Sequence, residues 1–305
     1  MPADGLTPEF LLVANPDTNV DIEAALGNLD QGKLQNRTVD ELFPEAPGVG
    51  RCRICGREAV LTREHIPPRT AFNRARGRSP SLLDWYQTPG LEIPDTGPVF
   101  QGGVWGYVLC EDCNNSTGWY GREYGTWAIG AASMMQSLER SLEELDQLDQ
   151  YAYANVHLRD VYPARFVRQA ISLVLSVSGS HELADRHPEL RQLALGGGPV
   201  ALPEPVRLFL GLYAGPMVRF AGGSWGQPQW SEEAQAWTWA IEVAFPPFAV
   251  QLMLEGDTDR LSGVDISAFA QLDPNEPTSF DVEGWMIGFG HLPHPLDYRP
   301  LGMLR

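Results

Sequence analysis

Two cysteine pairs, Cys52-x-x-Cys55 and Cys110-x-x-Cys113, constrain this chain more than any other feature in it. Thiolates at i and i+3 of a tight turn converge on one cation, and two such turns complete a closed tetrahedral site. Folding must therefore bring together two knuckles separated by 54 residues. All four cysteines of the chain lie in these pairs. Structural disulfides are the competing use of such pairs. The N-terminus, Met1-Pro2-Ala3-Asp4, has no basic start and no apolar stretch of the secretory kind. Paired C-x-x-C turns in that setting read better as metal ligands in a reducing compartment. The expectation is one structural Zn²⁺ on Cys52, Cys55, Cys110 and Cys113, in a cytoplasmic protein. Arg51 and Arg53, beside the first knuckle, are expected to help hold its thiols deprotonated.

The 305 residues, 43% of them hydrophobic, suffice for a large core and for two domains. No run of about 18 apolar residues occurs, so no membrane span is expected. Net charge is −17, which weighs against contact with a polyanion. Its distribution is uneven. Residues 1–50 carry two basic and nine acidic side chains, residues 51–126 nine and eight, and residues 127–305 eleven and twenty-two. Between Arg51 and Arg78 there are eight arginines and two glutamates, so positive charge gathers around the first knuckle.

The pattern along the chain predicts three regions and an α+β protein. Residues 1–50 read as an N-terminal arm or small cap, with a short helix from Val20 to Leu29. Residues 51–126 hold the zinc module, with a Pro/Gly-rich insertion over about 75–103 that Trp85, Tyr86 and Phe100 anchor. Residues 127–305 read as an independent domain of helices followed by an antiparallel sheet. Met135, Leu138, Leu142, Leu145 and Leu148 form one helical stripe. A second helix follows Pro163 and ends before Gly179, and a third spans Pro188 to Leu195 before Gly196. Beyond the triple glycine the period becomes two. Val206, Leu208, Leu210 and Leu212 alternate on one strand. Trp237, Trp239, Ile241, Val243 and Phe245 do so on another, and Phe248, Val250, Leu252 and Leu254 on a third. Trp225, Trp230, Trp237 and Trp239 read as core. His291 and His294 read as loop residues without metal partners.

Inside the zinc module, Ala59-Val60-Leu61-Thr62 reads as a strand leading to Glu64-His65-Ile66-Pro67-Pro68. The second knuckle, Leu109-Cys110-Glu111-Asp112-Cys113-Asn114, opens toward a helix. Strand, strand and helix around a metal, with these motifs, resembles the HNH endonucleases of the four-cysteine, ββα-metal type. The resemblance covers about residues 51–126. It implies hydrolysis of phosphodiester bonds, with His65 as general base and Glu64 and Asn114 as ligands of a catalytic Mg²⁺ or Mn²⁺. The zinc on the thiolates is then structural only. Asn114 could instead cap the following helix, and Asn115 could replace it in either role. Arg69, Arg74, Arg76 and Arg78 are candidates for contact with nucleic-acid phosphates, against the alternative of a solvated loop. Trp85 and Tyr86 fit loop anchors better than base-stacking platforms.

Two positions depart from the family pattern. The asparagine usually found nine residues before the third motif position, which steadies the loop bearing the base, is replaced by Trp105; Asn73 and Gln101 are the side chains that could substitute. The basic residue often found four positions after Asn114 is replaced by Gly118, with Arg122 one turn on. Two functions follow. One is a metal-dependent nuclease acting on nucleic acid, with DNA expected ahead of RNA, whose acidic segment 127–305 regulates it, recruits a protein partner or self-associates. The other is a zinc-stabilised interaction protein whose HNH-like module is inactive.

Overall fold

The computed structural model describes residues 47–74, 76–78, 99–145, 152–213, 219–221, 239–255 and 263–286. The expected arm and its helix over 20–29, Trp85, Tyr86, Leu148, Trp225, Trp230, Trp237, His291 and His294 lie outside the described residues.

Strand β1 (Val49–Arg51) is followed by the first knuckle and by β2 (Glu58–His65). A 3-10 turn at Arg69–Ala71 leads to a short antiparallel pair, β3 (Gly77–Arg78) with β4 (Val99–Phe100). Strand β5 (Trp105–Cys110) runs directly into helix α1 (Glu111–Gly118). The three strands form an antiparallel sheet in the order β1-β2-β5. In β2, Ala59 and Leu61 turn toward the core while Val60 stays exposed, the period-two pattern of a strand buried on one face. Helix α1 places Glu111 and Asp112 in its first turn, where the helix dipole favours negative charge.

Then come α2 (Gly121–Leu145), β6 (Ala152–Val161), α3 (Pro163–Val177), α4 (Glu182–Arg186) and α5 (Pro188–Leu195). They are followed by β7 (Arg207–Leu212), β8 (Arg219–Ala221), β9 (Trp239–Phe245), β10 (Phe248–Glu255), β11 (Val264–Asp265) and β12 (Thr278–Met286). Helices α3 and α5 each start on proline, whose fixed φ suits the first helical turn. The second sheet is antiparallel with the order β11-β7-β10-β9-β8, and β6 pairs separately with β12. Cross-strand rows Leu210–Val250–Val243 and Leu208–Leu252–Ile241 set one apolar face of the large sheet. The fold is α+β, with helices beside antiparallel sheets.

That apolar face packs on α3, in which every residue except Arg165 is buried. Phe166 is the hub: it stacks on Tyr124 at 5.0 Å and on Trp127 at 4.3 Å, and meets Phe248 edge-on at 5.5 Å. One cluster of buried side chains runs from Cys52, Ile54 and Cys113 through Tyr124 and Phe166 to Val243 and Leu252. The expected boundary between residues 126 and 127 falls inside α2. Polar contacts also join the two sides. Arg53 donates to the carbonyl of Ser176 at the end of α3, Arg191 of α5 donates to the carbonyl of Ile54 at 2.9 Å, and Arg51 meets His181 at 2.8 Å. Among the described residues, no helix is long and apolar enough to cross a membrane.

Candidate functional site

The two knuckles converge. The first lies between β1 and β2, and the second spans the junction of β5 and α1, which the antiparallel pairing of Leu61 with Cys110 brings alongside. The Sγ atoms of Cys52, Cys55, Cys110 and Cys113 all lie within 4.8 Å of one another, and the four are free thiols. A tetrahedron with metal–sulfur bonds of about 2.3 Å has edges of about 3.8 Å. Cys55 Sγ stands 3.8 Å from Cys110 Sγ. The donor set and its spacing fit zinc, and the cluster could hold such an ion.

The thiols differ in acidity, and Cys52 is the one favoured as thiolate. Cys52 is pulled down to about 4 by the Cys113 thiol and by main-chain N–H groups at Cys55, Cys110 and Ile54, against the effect of burial. Cys113 is pushed up in turn by sharing its proton with Cys52. The arginine against the sulfurs is Arg57, in place of the expected pair. Its Nε lies 3.5 Å from Cys55 Sγ, and its Nη2 lies 3.8 Å from Cys110 Sγ and 2.7 Å from Asp112. Arg51 and Arg53 serve the docking contacts with His181 and Ser176 instead.

Beside the cluster opens a cleft of about 190 Å³, lined by Arg63, Glu64, His65, Pro68, Arg69, Asn114, Gly118, Gly121 and Gln169. Strand β2 ends at His65, and α1 is tied to it through Asn114. Asn114 is fixed on the strand: its Nδ2 donates to Thr62 Oγ1 at 2.9 Å and to the carbonyl of Arg63 at 3.0 Å. Both amide hydrogens are thereby engaged, which sets the orientation of the carboxamide and leaves Oδ1 as its free acceptor among the described residues. The capping role is corrected by the same geometry. The helix starts at Glu111, so Asn114 is its fourth residue and bonds to β2. Asn115 is exposed and does not line the cleft.

Glu64 is buried, and desolvation raises its carboxyl to about 8. His65 is lowered to about 4, by burial first and then by the positive charges of Arg63 and Arg69. A hydrogen bond to the Gly102 carbonyl works in the opposite direction and occupies one ring nitrogen. At neutral pH His65 is therefore an uncharged imidazole with its second nitrogen available to accept a proton.

Asn73, one of the two suggested substitutes, steadies this loop. It is fully buried; its Nδ2 donates to the carbonyls of Pro67 at 2.6 Å and Val104 at 2.8 Å, and the Val104 N–H donates to its Oδ1 at 2.7 Å. Gly103 makes this possible. Its φ is +98°, and a Cβ there would strike the Asn73 carbonyl, so no other residue fits. Gln101 instead accepts the Trp105 indole N–H on its carbonyl at 3.1 Å. Trp105 pairs with His65 across the sheet but stays out of the cleft, its ring lying 3.9 Å beneath the Arg63 guanidinium.

Of the four expected arginines, Arg69 lines the cleft. Arg74 folds back, its Nε donating to the Arg69 carbonyl at 3.1 Å, and Arg76 is exposed outside the cleft. Arg78 lies in β3, and its side chain is outside the described set. Three cleft residues, Arg63, Gly121 and Gln169, were not anticipated. Arg63 sits two positions before His65, a spacing that puts both on one face of a strand and could have flagged it. Gln169 comes from α3, and no sequence signal links it to the knuckles. Gly118 lines the cleft where a basic side chain was the family expectation, and Arg122 is exposed outside it.

Compared with known proteins, the chain matches no family model, no curated protein and no solved structure.

Proposed function

We propose that this protein is a metal-dependent endonuclease of the HNH type, hydrolysing phosphodiester bonds of nucleic acid, DNA before RNA. The observation that carries the reading is that Glu64, His65, Asn114 and Arg69 line one cleft. Each residue type suits a part of the reaction. The Glu64 carboxyl, which a cation bound beside it would draw into its carboxylate form, and Asn114 Oδ1 are hard oxygen donors of the kind that Mg²⁺ or Mn²⁺ prefers. Such an ion, when bound, stabilises charge developing on the scissile phosphate. His65, neutral and tied to the Gly102 carbonyl, takes the proton from the attacking water. Arg63 and Arg69 hold phosphate oxygens, and Arg76, exposed outside the cleft, contacts a flanking phosphate. The four thiolates keep a structural zinc that holds β2 against α1.

The interaction-protein alternative drew on Trp105 in place of an asparagine. Asn73 supports the nuclease reading, because it ties the Pro67 end of the base-bearing loop to Val104. The segment after residue 127 supplies regulation or a partner surface in this reading, and its acidity restrains non-specific binding to nucleic acid. Incubating the purified protein with linear duplex DNA, with Mn²⁺, with Mg²⁺ and with neither, tests the proposal. Cleavage that requires the ion is expected; an absence of cleavage under all three conditions contradicts it.

A further inference from the structure

Gln169 has no role in any of the above, yet its side chain is in an unusual position. It is the seventh residue of α3 and only 1% exposed. Both polar atoms of its carboxamide, Oε1 and Nε2, are buried without a hydrogen-bond partner among the described residues. Leaving such groups unmade costs folding free energy, and natural cores avoid it. Nevertheless Gln169 lines the cleft that holds Glu64, His65 and Arg69. The carboxamide sits against Gly121: a Cβ added there would lie 3.7 Å from Gln169 Oε1 and 3.1 Å from Pro68. Gly121 thus keeps the space between Pro68 and Gln169 clear. A buried amide held unsatisfied at the floor of a cleft matches a ligand that arrives with its own acceptor and donor.

The charge around it selects the ligand. Two guanidinium-bearing residues, Arg63 and Arg69, line the cleft against one carboxyl, Glu64. An anion is therefore the favoured guest, and Nε2 is a donor suited to an anionic oxygen. Resting on the nuclease reading, we propose that Gln169 is a substrate-binding residue. Its Nε2 donates to a non-bridging oxygen of the bound phosphodiester, and its Oε1 accepts from a water beside that phosphate. Helix α3, more than fifty residues past the second knuckle, thereby supplies one wall of the site.

The test uses the full chain carrying His65→Ala, which binds without cutting, and compares it with the double variant His65→Ala, Gln169→Met. Methionine keeps the shape of glutamine and removes both unsatisfied atoms. Binding of a short duplex DNA in Mn²⁺ buffer is followed by fluorescence anisotropy, and melting temperature is measured without DNA. A hydrogen bond to a charged group predicts affinity weakened by about tenfold to a hundredfold. Removing an unsatisfied buried amide predicts a melting temperature higher by about 2–4 °C. Unchanged affinity overturns the proposal, and so does lost affinity with a lowered melting temperature, which would make Gln169 a packing residue. If the His65→Ala parent fails to bind DNA and the wild type fails to cut it, the nuclease reading falls with the proposal. That failure shows in the parent before any Gln169 variant is measured.

Discussion

Asn73 closes its carboxamide on Pro67 and on both main-chain groups of Val104, all within the interior. Asn73→Ala strands those groups, so a stability loss of about 2–4 kcal/mol is expected from denaturant titration, with cleavage reduced alongside. An unfolding midpoint equal to wild type would contradict the clamp. Glu64 gives a prediction in pH. Its carboxyl sits at about 8 in the fold against an ordinary value of 4.5. The folded state thus holds a proton that the unfolded chain releases, and the stability this confers is present below the ordinary value. It is lost as pH rises toward about 8. Without added divalent ion, Glu64→Gln should therefore gain on wild type between about pH 5 and about pH 8. His65 is common to both proteins, so its own titration cancels; parallel urea midpoints at both pH values would refute the burial of Glu64. Glu64, His65 and Asn114 were singled out in the sequence through the resemblance to the HNH motif, and they line one cleft because the converging cysteine pairs bring β2 alongside β5 and α1. Asn73 was one of two candidates, and only the approach of the Gly103 backbone distinguishes it from Gln101. Gln169 was not legible, since its relation to the site exists only through packing of α3.

The knuckle between β1 and β2 is an element with little core of its own, held by its thiols on one side and by Arg53 and Arg191 on the other. Cys113→Ser should lose the metal and lower the unfolding midpoint, because binding free energy in such modules is also folding free energy. Wild type should carry one zinc per chain by elemental analysis, and finding none would contradict the cluster. Helices α3 and α5 were readable to the residue at their prolines, and β7, β9 and β10 from strict alternation. Strands β6 and β12 were not read. The run Ala152-Tyr153-Ala154-Asn155 mixes small and polar residues, and it is a strand because Met286 to Glu283 pair with it from far along the chain. Sequence-local periodicity carries no trace of such a partner. Helix α4, five residues long, falls below the length at which a helical period can be recognised.

A continuous core decides how the whole molecule should behave. Buried residues join Cys52 and Ile54 to Val243 and Leu252 without a break, and Tyr124, Trp127 and Phe166 stack across the position where the residue pattern suggested a boundary. The metal-holding segment and the helices should therefore unfold in one calorimetric transition; two separate transitions would support independent domains divided near residue 127. The charge of −17 and the arginines of the cleft act at this scale too. Under the proposed function, an acidic body weakens non-specific contact with nucleic acid, and Arg63 and Arg69 place positive charge at the cleft. The proposed function makes His65 the base of a metal-dependent nuclease. Cleavage of duplex DNA in Mn²⁺ by wild type and by His65→Ala, at matched zinc content and matched melting temperature, tests it most directly. Wild type should cut, and the variant should lose about a hundredfold or more in rate. Equal cutting by both proteins, or none by wild type, would contradict it.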